Sequence, residues 1–180
     1  MISKGSDFAK AGEAGLARSD KTTADVLSAV YGSFVGMVIE DLGRNTTKAN
    51  EELFKFGQSI GQRMADEVLA KFGLATNCTT FIDACEAVTK LGLRLYLGAV
   101  TETVANDSAN RFVFKLIQSN VVEFLEPGEV HNCRYHNVIA GGVAGALTQL
   151  GWPVAARFSP DVSTGDSSNI FSLELMNDSK

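Results

Sequence analysis

The sequence predicts an α+β domain in which a helical layer packs on a twisted antiparallel β-sheet of about four strands, in the order ααα-ββ-α-ββ. Three observations lead there. Apolar residues recur every three or four positions through the first half of the chain, the period changes to two near residue 111, and glycines, prolines and capping pairs punctuate the segments. At 180 residues the chain fits a single domain of roughly 100 to 200 residues. Such a domain removes about 70% of its unfolded surface from water and needs no disulfide or metal to fold.

Residues 1–21 are polar, contain glycine and have no period, so they read as a mobile arm ahead of a domain spanning 22–180. They also lack a signal-peptide core, and the chain reads as cytoplasmic. The first helix opens with Thr22 and Asp25 at capping-box spacing and carries Val26, Val30, Phe34, Val38 and Leu42. A second runs from about Thr47 to Phe72 with Leu53, Phe56, Ile60, Met64 and Val68 on one face, and Gly73 stops it. Thr80 and Asp83 form another capping box. The helix it opens places Phe81, Cys85, Val88, Gly92 and Leu95 on one face before Gly98.

Alternation in Phe112, Phe114 and Leu116 predicts a strand over Arg111 to Ile117, and Val121 to Glu126, closed by Pro127 and Gly128, predicts another. Tyr135 to Leu150 reads as a fourth helix. Val154 to Phe158 and Ile170 to Leu175 complete the sheet.

The charge balance removes one class of function. Sixteen basic and twenty-one acidic residues give a net charge of −5, so nothing attracts the chain to a nucleic acid. Mean hydropathy of +0.05 is high for a domain of this size, which points to a reserved apolar surface or interior. The most apolar run, Val26 to Ile39, falls short of the roughly 20 residues a membrane span requires.

Catalytic and metal signals are weak. Gly141, Gly142 and Gly145 lie inside a helix and lack the order of a P-loop or dinucleotide motif, so they read as packing glycines. The same spacing of four recurs at Gly32/Gly36 and Gly57/Gly61. Each helical glycine costs roughly 1 kcal/mol relative to alanine, and close backbone approach or reserved internal space are the two compensations available. His131, Cys133 and His136, with Cys85, match no compact zinc pattern. No metal is expected. Cys78 precedes the second capping box, where helix amides can lower a thiol's pKa. Gly92 leaves a gap in the apolar stripe behind it, and ordinary packing of both residues is the plainer alternative.

Several of these residues stand in a familiar order. The stretch from Leu53 to Arg63, with Gly57, Gly61 and Arg63, resembles the second-helix signature of the small core subunits of TRAPP, the transport protein particle. Cys78 through Phe81, Ala87, Lys90, Leu95, Tyr96, Leu97 and Gly98 resembles the acylated, Bet-three-type subunit of that family. Phe124 and Pro127, Gly141 to Leu147, and Ala155 to Phe158 follow in the family's order, so the resemblance spans about residues 22–176.

The resemblance implies a scaffold that catalyses nothing by itself. It implies a core subunit of a vesicle-tethering complex, active in transport from endoplasmic reticulum to Golgi, that contributes to a Rab-family exchange factor. It implies homodimeric or heterodimeric assembly with other TRAPP core subunits through helix faces, here those of Gly32, Gly36, Gly57 and Gly61, and peripheral association with cis-Golgi and endoplasmic-reticulum-derived membranes. It implies palmitate or a similar chain in thioester linkage to Cys78, in a channel lined by Phe81, Cys85, Val88, Gly92 and Leu95. Burying a sixteen-carbon chain at about 0.8 kcal/mol per methylene is worth on the order of 10 kcal/mol, so the lipid would act as core. The family's longer C-terminal tail, which approaches the GTPase, is represented only by Asn177 to Lys180. The reading from residues alone keeps an alternative, a carrier or sensor that holds a lipid or other small molecule in the same cavity without a covalent bond.

Overall fold

The computed structural model describes residues 4–18, 24–72, 78–118, 133–158 and 169–176. Its helices are α1 (Lys4–Arg18), α2 (Ala24–Asp41), α3 (Thr46–Phe72), α4 (Phe81–Glu86), α5 (Leu93–Leu97) and α6 (Asn137–Gln149), and a π-helical segment (Ala87–Gly92) joins α4 to α5. Its strands are β1 (Val100–Ser108), β2 (Arg111–Gln118), β3 (Val154–Phe158) and β4 (Asn169–Leu175). They form one antiparallel sheet in the order β1-β2-β4-β3.

Alternation in β2 turns Phe112, Phe114 and Leu116 toward the helices, and β4 adds Phe171 and Leu173 to the same face. Phe114 stacks on Phe171 with ring centroids 4.9 Å apart. Phe81, Ala84 and Cys85 of α4 and Ile139, Val143 and Leu147 of α6 pack on these side chains to make the main core. The helix α3 lies on α6 as a further layer, and α2 rests on α3 through Tyr31, Val35, Ile39 and Leu53.

The crossing of α3 and α6 explains most of the helical glycines. A Cβ on Gly57 would collide with the Val138 carbonyl, and one on Gly61 with the Gly142 carbonyl. From the other side, Gly141 faces the Phe54 carbonyl and Gly145 the Gln58 carbonyl. Gly57 and Gly61 are therefore helix-packing residues within the chain. Their expected place on a face open to another subunit is corrected, because α6 already occupies that face. A Cβ at Gly36, by contrast, would meet nothing within 4 Å.

Two other expectations change. The N-terminal segment, expected to lack regular structure, forms α1, with Phe8 only 6% exposed. Its glycines hid the helix, yet Gly5 lies against Glu86 and Gly12 against the Lys90 carbonyl, so tertiary contact supplies what propensity lacks. The strand β1 also went unrecognised. Its residues opposite Leu116 and Phe114 are Thr101 and Thr103, so this edge strand shows no apolar alternation. The strand expected at residues 121–126 lies outside the described residues, as do Thr22 of the first capping box, Gly73 and His131.

The glycine crossing sets the first test. Gly61→Leu should cost at least about 3 kcal/mol, because backbone cannot yield as a side chain can, and should lower the melting temperature by roughly 6 to 12 °C. Gly36→Ala should gain up to about 1 kcal/mol. Equal melting temperatures for the two variants would remove the crossing as a stability determinant.

A second test concerns acid. His136 precedes α6 with its ring edge toward Phe171, and burial holds its imidazole down at about 4 from the usual 6.5. The unfolded chain takes up this proton on acidification from pH 6.5 to 4 while the folded chain resists it. The site's contribution to stability is thus full above pH 6.5 and falls by roughly 2 to 3 kcal/mol by pH 4. Urea midpoints for His136→Asn should decline less across that window than those of wild type.

Candidate functional site: an apolar cavity beside Cys78

A cavity of about 250 Å³ lies between α3, the π segment with α5, and α6, and Leu27 and Tyr31 of α2 close one end. Along α3 its lining runs from Phe56 to Leu69, roughly 20 Å at 1.5 Å per residue. A bilayer core of about 30 Å holds two acyl chains end to end, so one such chain, about 15 Å long, matches this run. Val138, Ile139, Val143 and Ala146 of α6 form the floor.

The lining is apolar throughout. Among the described lining residues only Tyr31 and Tyr96 carry side-chain oxygens, and both hydroxyls are engaged at the periphery, Tyr31 donating to the Tyr135 carbonyl and Tyr96 to Glu67 at 2.9 Å. Burial pushes the Tyr31 phenol well above its usual value, as it does that of Tyr96, where Glu67 adds to the effect. Neither phenol ionises near neutral pH. Water needs two to four polar partners to be held in such a space, and this lining offers a hydrocarbon body a better environment than it offers water.

The π segment decides which residues face the cavity. The Leu93 amide donates to the Val88 carbonyl, five residues back, and so the helix turns one residue late. Two threonines satisfy carbonyls in the altered ladder, with Thr89 Oγ1 donating to the Cys85 carbonyl at 2.7 Å and Thr101 Oγ1 to the Thr89 carbonyl at 3.3 Å. Val88 and Gly92 remain on the lining, but Leu93, Tyr96 and Leu97 follow them. Leu95 instead packs against Phe8, Ala87 and Leu91. A Cβ at Gly92 would approach nothing closer than the Ala87 carbonyl at 4.0 Å, so this glycine borders open space.

Of the five residues expected along a channel, Val88 and Gly92 line the cavity and Phe81, Cys85 and Leu95 do not. Phe81 and Cys85 belong to the core over the sheet, where Phe81 approaches Trp152. Burial, with Glu86 nearby, pushes the Cys85 thiol far up, which leaves it inert. A uniform helical period extrapolated through the π segment put Leu95 on the wrong face, whereas Phe81 and Cys85, ahead of that segment, belong to the face of α4 turned to the main core. The α3 and α6 lining was missed because its stripes read as ordinary core. The excess of helical glycine at Gly61, Gly92 and Gly142 was the available signal.

Cys78 lies two residues before the cap of α4. The capping box is formed as expected, the Asp83 amide donating to Thr80 Oγ1 at 3.1 Å and the Thr80 amide to Asp83 Oδ2 at 3.2 Å. Half-buried, Cys78 packs against both the main core and the cluster of Phe8, Val68, Ala87 and Leu91. Val68 and Ala87 of that cluster also line the cavity, so the thiol and the cavity share it. None of the three cysteines is in a disulfide. Among the described residues no three His, Cys, Asp or Glu side chains gather as a metal site, and no helix is long and apolar enough to cross a membrane.

A second surface feature lies on α2. Val26, Val30 and Met37 are 53%, 63% and 54% exposed, and Phe56 of α3, its ring tilted against that of Phe34, continues the apolar patch to the end of the cavity. Gly32 is half-buried and Gly36 exposed along this helix.

Fold and site together define an α+β domain whose helical layer encloses an apolar cavity beside a half-buried cysteine. The comparisons with known proteins agree with the fold. A model of the transport protein particle (TRAPP) component family matches residues 27–174, and the chain belongs to that family, among its Bet3-type subunits. Transport protein particle subunit bet3 of Schizosaccharomyces pombe is 34% identical over 161 residues, covering 87% of this chain and 86% of the relative. Trafficking protein particle complex subunit 3 of Dictyostelium discoideum is 31% identical over 160 residues, covering 87% and 84%. A crystal structure of trafficking protein particle complex subunit 3 from Naegleria fowleri, covalently bound to palmitic acid, superposes with a TM-score of 0.74 at 23% identity, covering 86% of this chain and 95% of that one.

The open space at Gly92 gives a direct test of the cavity. Gly92→Leu should fold with unchanged stability or a gain of up to about 1 kcal/mol, and should bind a fluorescent fatty-acid analogue at least about tenfold more weakly than wild type. A loss of 1 to 3 kcal/mol with unaltered binding would mean that packed side chains surround residue 92.

Proposed function

We propose that this TRAPP-family chain is a core scaffold subunit of a vesicle-tethering complex and carries a long-chain acyl group on Cys78, with the chain buried in the α3/α5/α6 cavity. The observation that carries the reading is an elongated cavity with no available polar side chain among its described lining residues, sharing a side-chain cluster with a half-buried thiol, in a member of this family. The palmitic acid held covalently by the Naegleria fowleri protein supports it, because the two chains share a fold.

In this reading the chain itself catalyses nothing. It assembles with other TRAPP core subunits or a second copy through the exposed face of α2, where Val26, Val30 and Met37 offer an apolar stripe and Gly36 allows close approach. Through the assembled complex it contributes to exchange on a Rab-family GTPase, whose nucleotide-free form the composite surface favours by differential binding. Its place is peripheral, on cis-Golgi and endoplasmic-reticulum-derived membranes. The buried lipid serves as core and does not anchor the protein.

Intact-mass measurement on protein made in a eukaryotic cytosol tests the acylation. A long-chain increment removed by hydroxylamine and absent from Cys78→Ser is expected. An unmodified mass, with a fatty acid released on denaturation, would replace this reading with that of a non-covalent carrier.

A further inference from the structure

The helix α1 lies ahead of the residues that the family model matches, yet it is docked at the side of the cavity next to Cys78. Phe8 is buried in a cluster with Val68, Ala87 and Leu91, and Cys78 packs against that cluster. Val68 and Ala87 also line the cavity. The cluster shared by the thiol and the cavity wall is therefore one that α1, through Phe8, helps to hold in place.

The docking is close and specific. Gly12 lets the α1 backbone approach the π segment, since a Cβ there would stand 2.7 Å from the Lys90 carbonyl and 3.2 Å from Arg94 Cβ. Glu13 then pairs with Arg94 through contacts of 2.8 and 3.0 Å, and Arg94 also donates to the Gly98 carbonyl at 2.7 Å. This ion pair fastens α1 to the helix whose Leu93, Tyr96 and Leu97 line the cavity.

We infer that α1 is an internal strap that keeps Cys78 and the cavity apart while the cavity is empty, so that loading of Cys78 requires α1 to move. The inference rests on the acylation reading for its consequence and on geometry for the shielding itself. Loading is a thioester exchange in which Cys78 Sγ attacks the carbonyl carbon of an acyl thioester donor such as palmitoyl coenzyme A. The donor's carbon–sulfur bond breaks, its thiolate takes the proton given up by Cys78, and no oxidant or reductant is consumed. For the chain to pass from the thiol into the cavity, the shared cluster of Phe8, Val68, Ala87 and Leu91 must loosen, and the docking of α1 resists that. By linkage, a chain already in place weakens the docking of α1 to the same degree.

The test uses the full chain in a Cys133→Ser background, since Cys85 is buried. Gly12→Leu and Glu13→Lys, both outside the cavity lining, should release α1 while thermal melting reports that the fold persists. Two rates are measured, alkylation of Cys78 by a small water-soluble maleimide and thioester formation from palmitoyl coenzyme A. Both should rise about tenfold in Gly12→Leu and less in Glu13→Lys, as expected when a local opening controls access. Faster alkylation with no thioester in any form would keep the shielding and discard the acylation. Unchanged alkylation, or accelerated alkylation with thioester formed equally fast in wild type and variants, would overturn the strap. Hydrogen exchange reads the linkage independently, since amides of residues 4–18 should lose protection when Cys78 is loaded, and equal protection would overturn it too.

Discussion

Gly57 and Gly61 of α3 and Gly141 and Gly145 of α6 bring two helices together backbone to backbone, and the rest of the helical layer is arranged around that crossing. No other residue type fits, because each missing side chain is replaced by a carbonyl of the facing helix. The propensity lost by placing glycine in helix interiors is about 1 kcal/mol per residue, and close packing of the two backbones offsets it. With α3 fixed on α6, the next face of α3, bearing Ile60, Met64 and Val68, cannot reach the floor of the helical layer. The space left over is the cavity.

The π segment performs the complementary adjustment on the opposite wall. A continuous α-helix from Phe81 would carry Leu95 inward and fill part of the space. The late turn sends Leu95 outward against α1 and leaves Gly92, which has no side chain, facing the middle of the gap. Thr89 and Thr101 make that geometry tolerable by giving hydroxyl donors to carbonyls that an altered ladder leaves over. A polar residue that is 1% exposed, as Thr89 is, thereby serves an apolar purpose.

The cavity has contrasting ends. Near Leu27, Tyr31 and Phe56 it adjoins the exposed apolar face of α2. Near Val68, Leu69 and Tyr96 it adjoins Cys78 and α1, with the ion pairs Glu13–Arg94 and Lys71–Glu67 at the periphery. Contents of the cavity thus bear on the exposed apolar face of α2 at one end and on the cluster around the thiol at the other, through residues that belong to both.

Much of this was legible in the sequence, for definite reasons. Amphipathic periods located α2, α3 and α6, the Thr80/Asp83 pair located the start of α4, and alternation located β2, because each signal is local and is repeated by several residues. Glycine at spacing four announced close helix packing, and Cys78 and Gly92 stood out against their surroundings. The sequence could not say which backbone a glycine faces, so the α3 pair, expected to meet another subunit, meets α6 of the same chain. It could not show α1, whose stability comes from docking, or β1, whose core-facing threonines lack the apolar alternation that marks a half-buried strand. Nor could it show the π turn. Hydrogen bonds taken five residues back instead of four shift every later side chain around the helix axis, in a segment that packs against α3 and accepts a hydroxyl from β1, both distant in sequence.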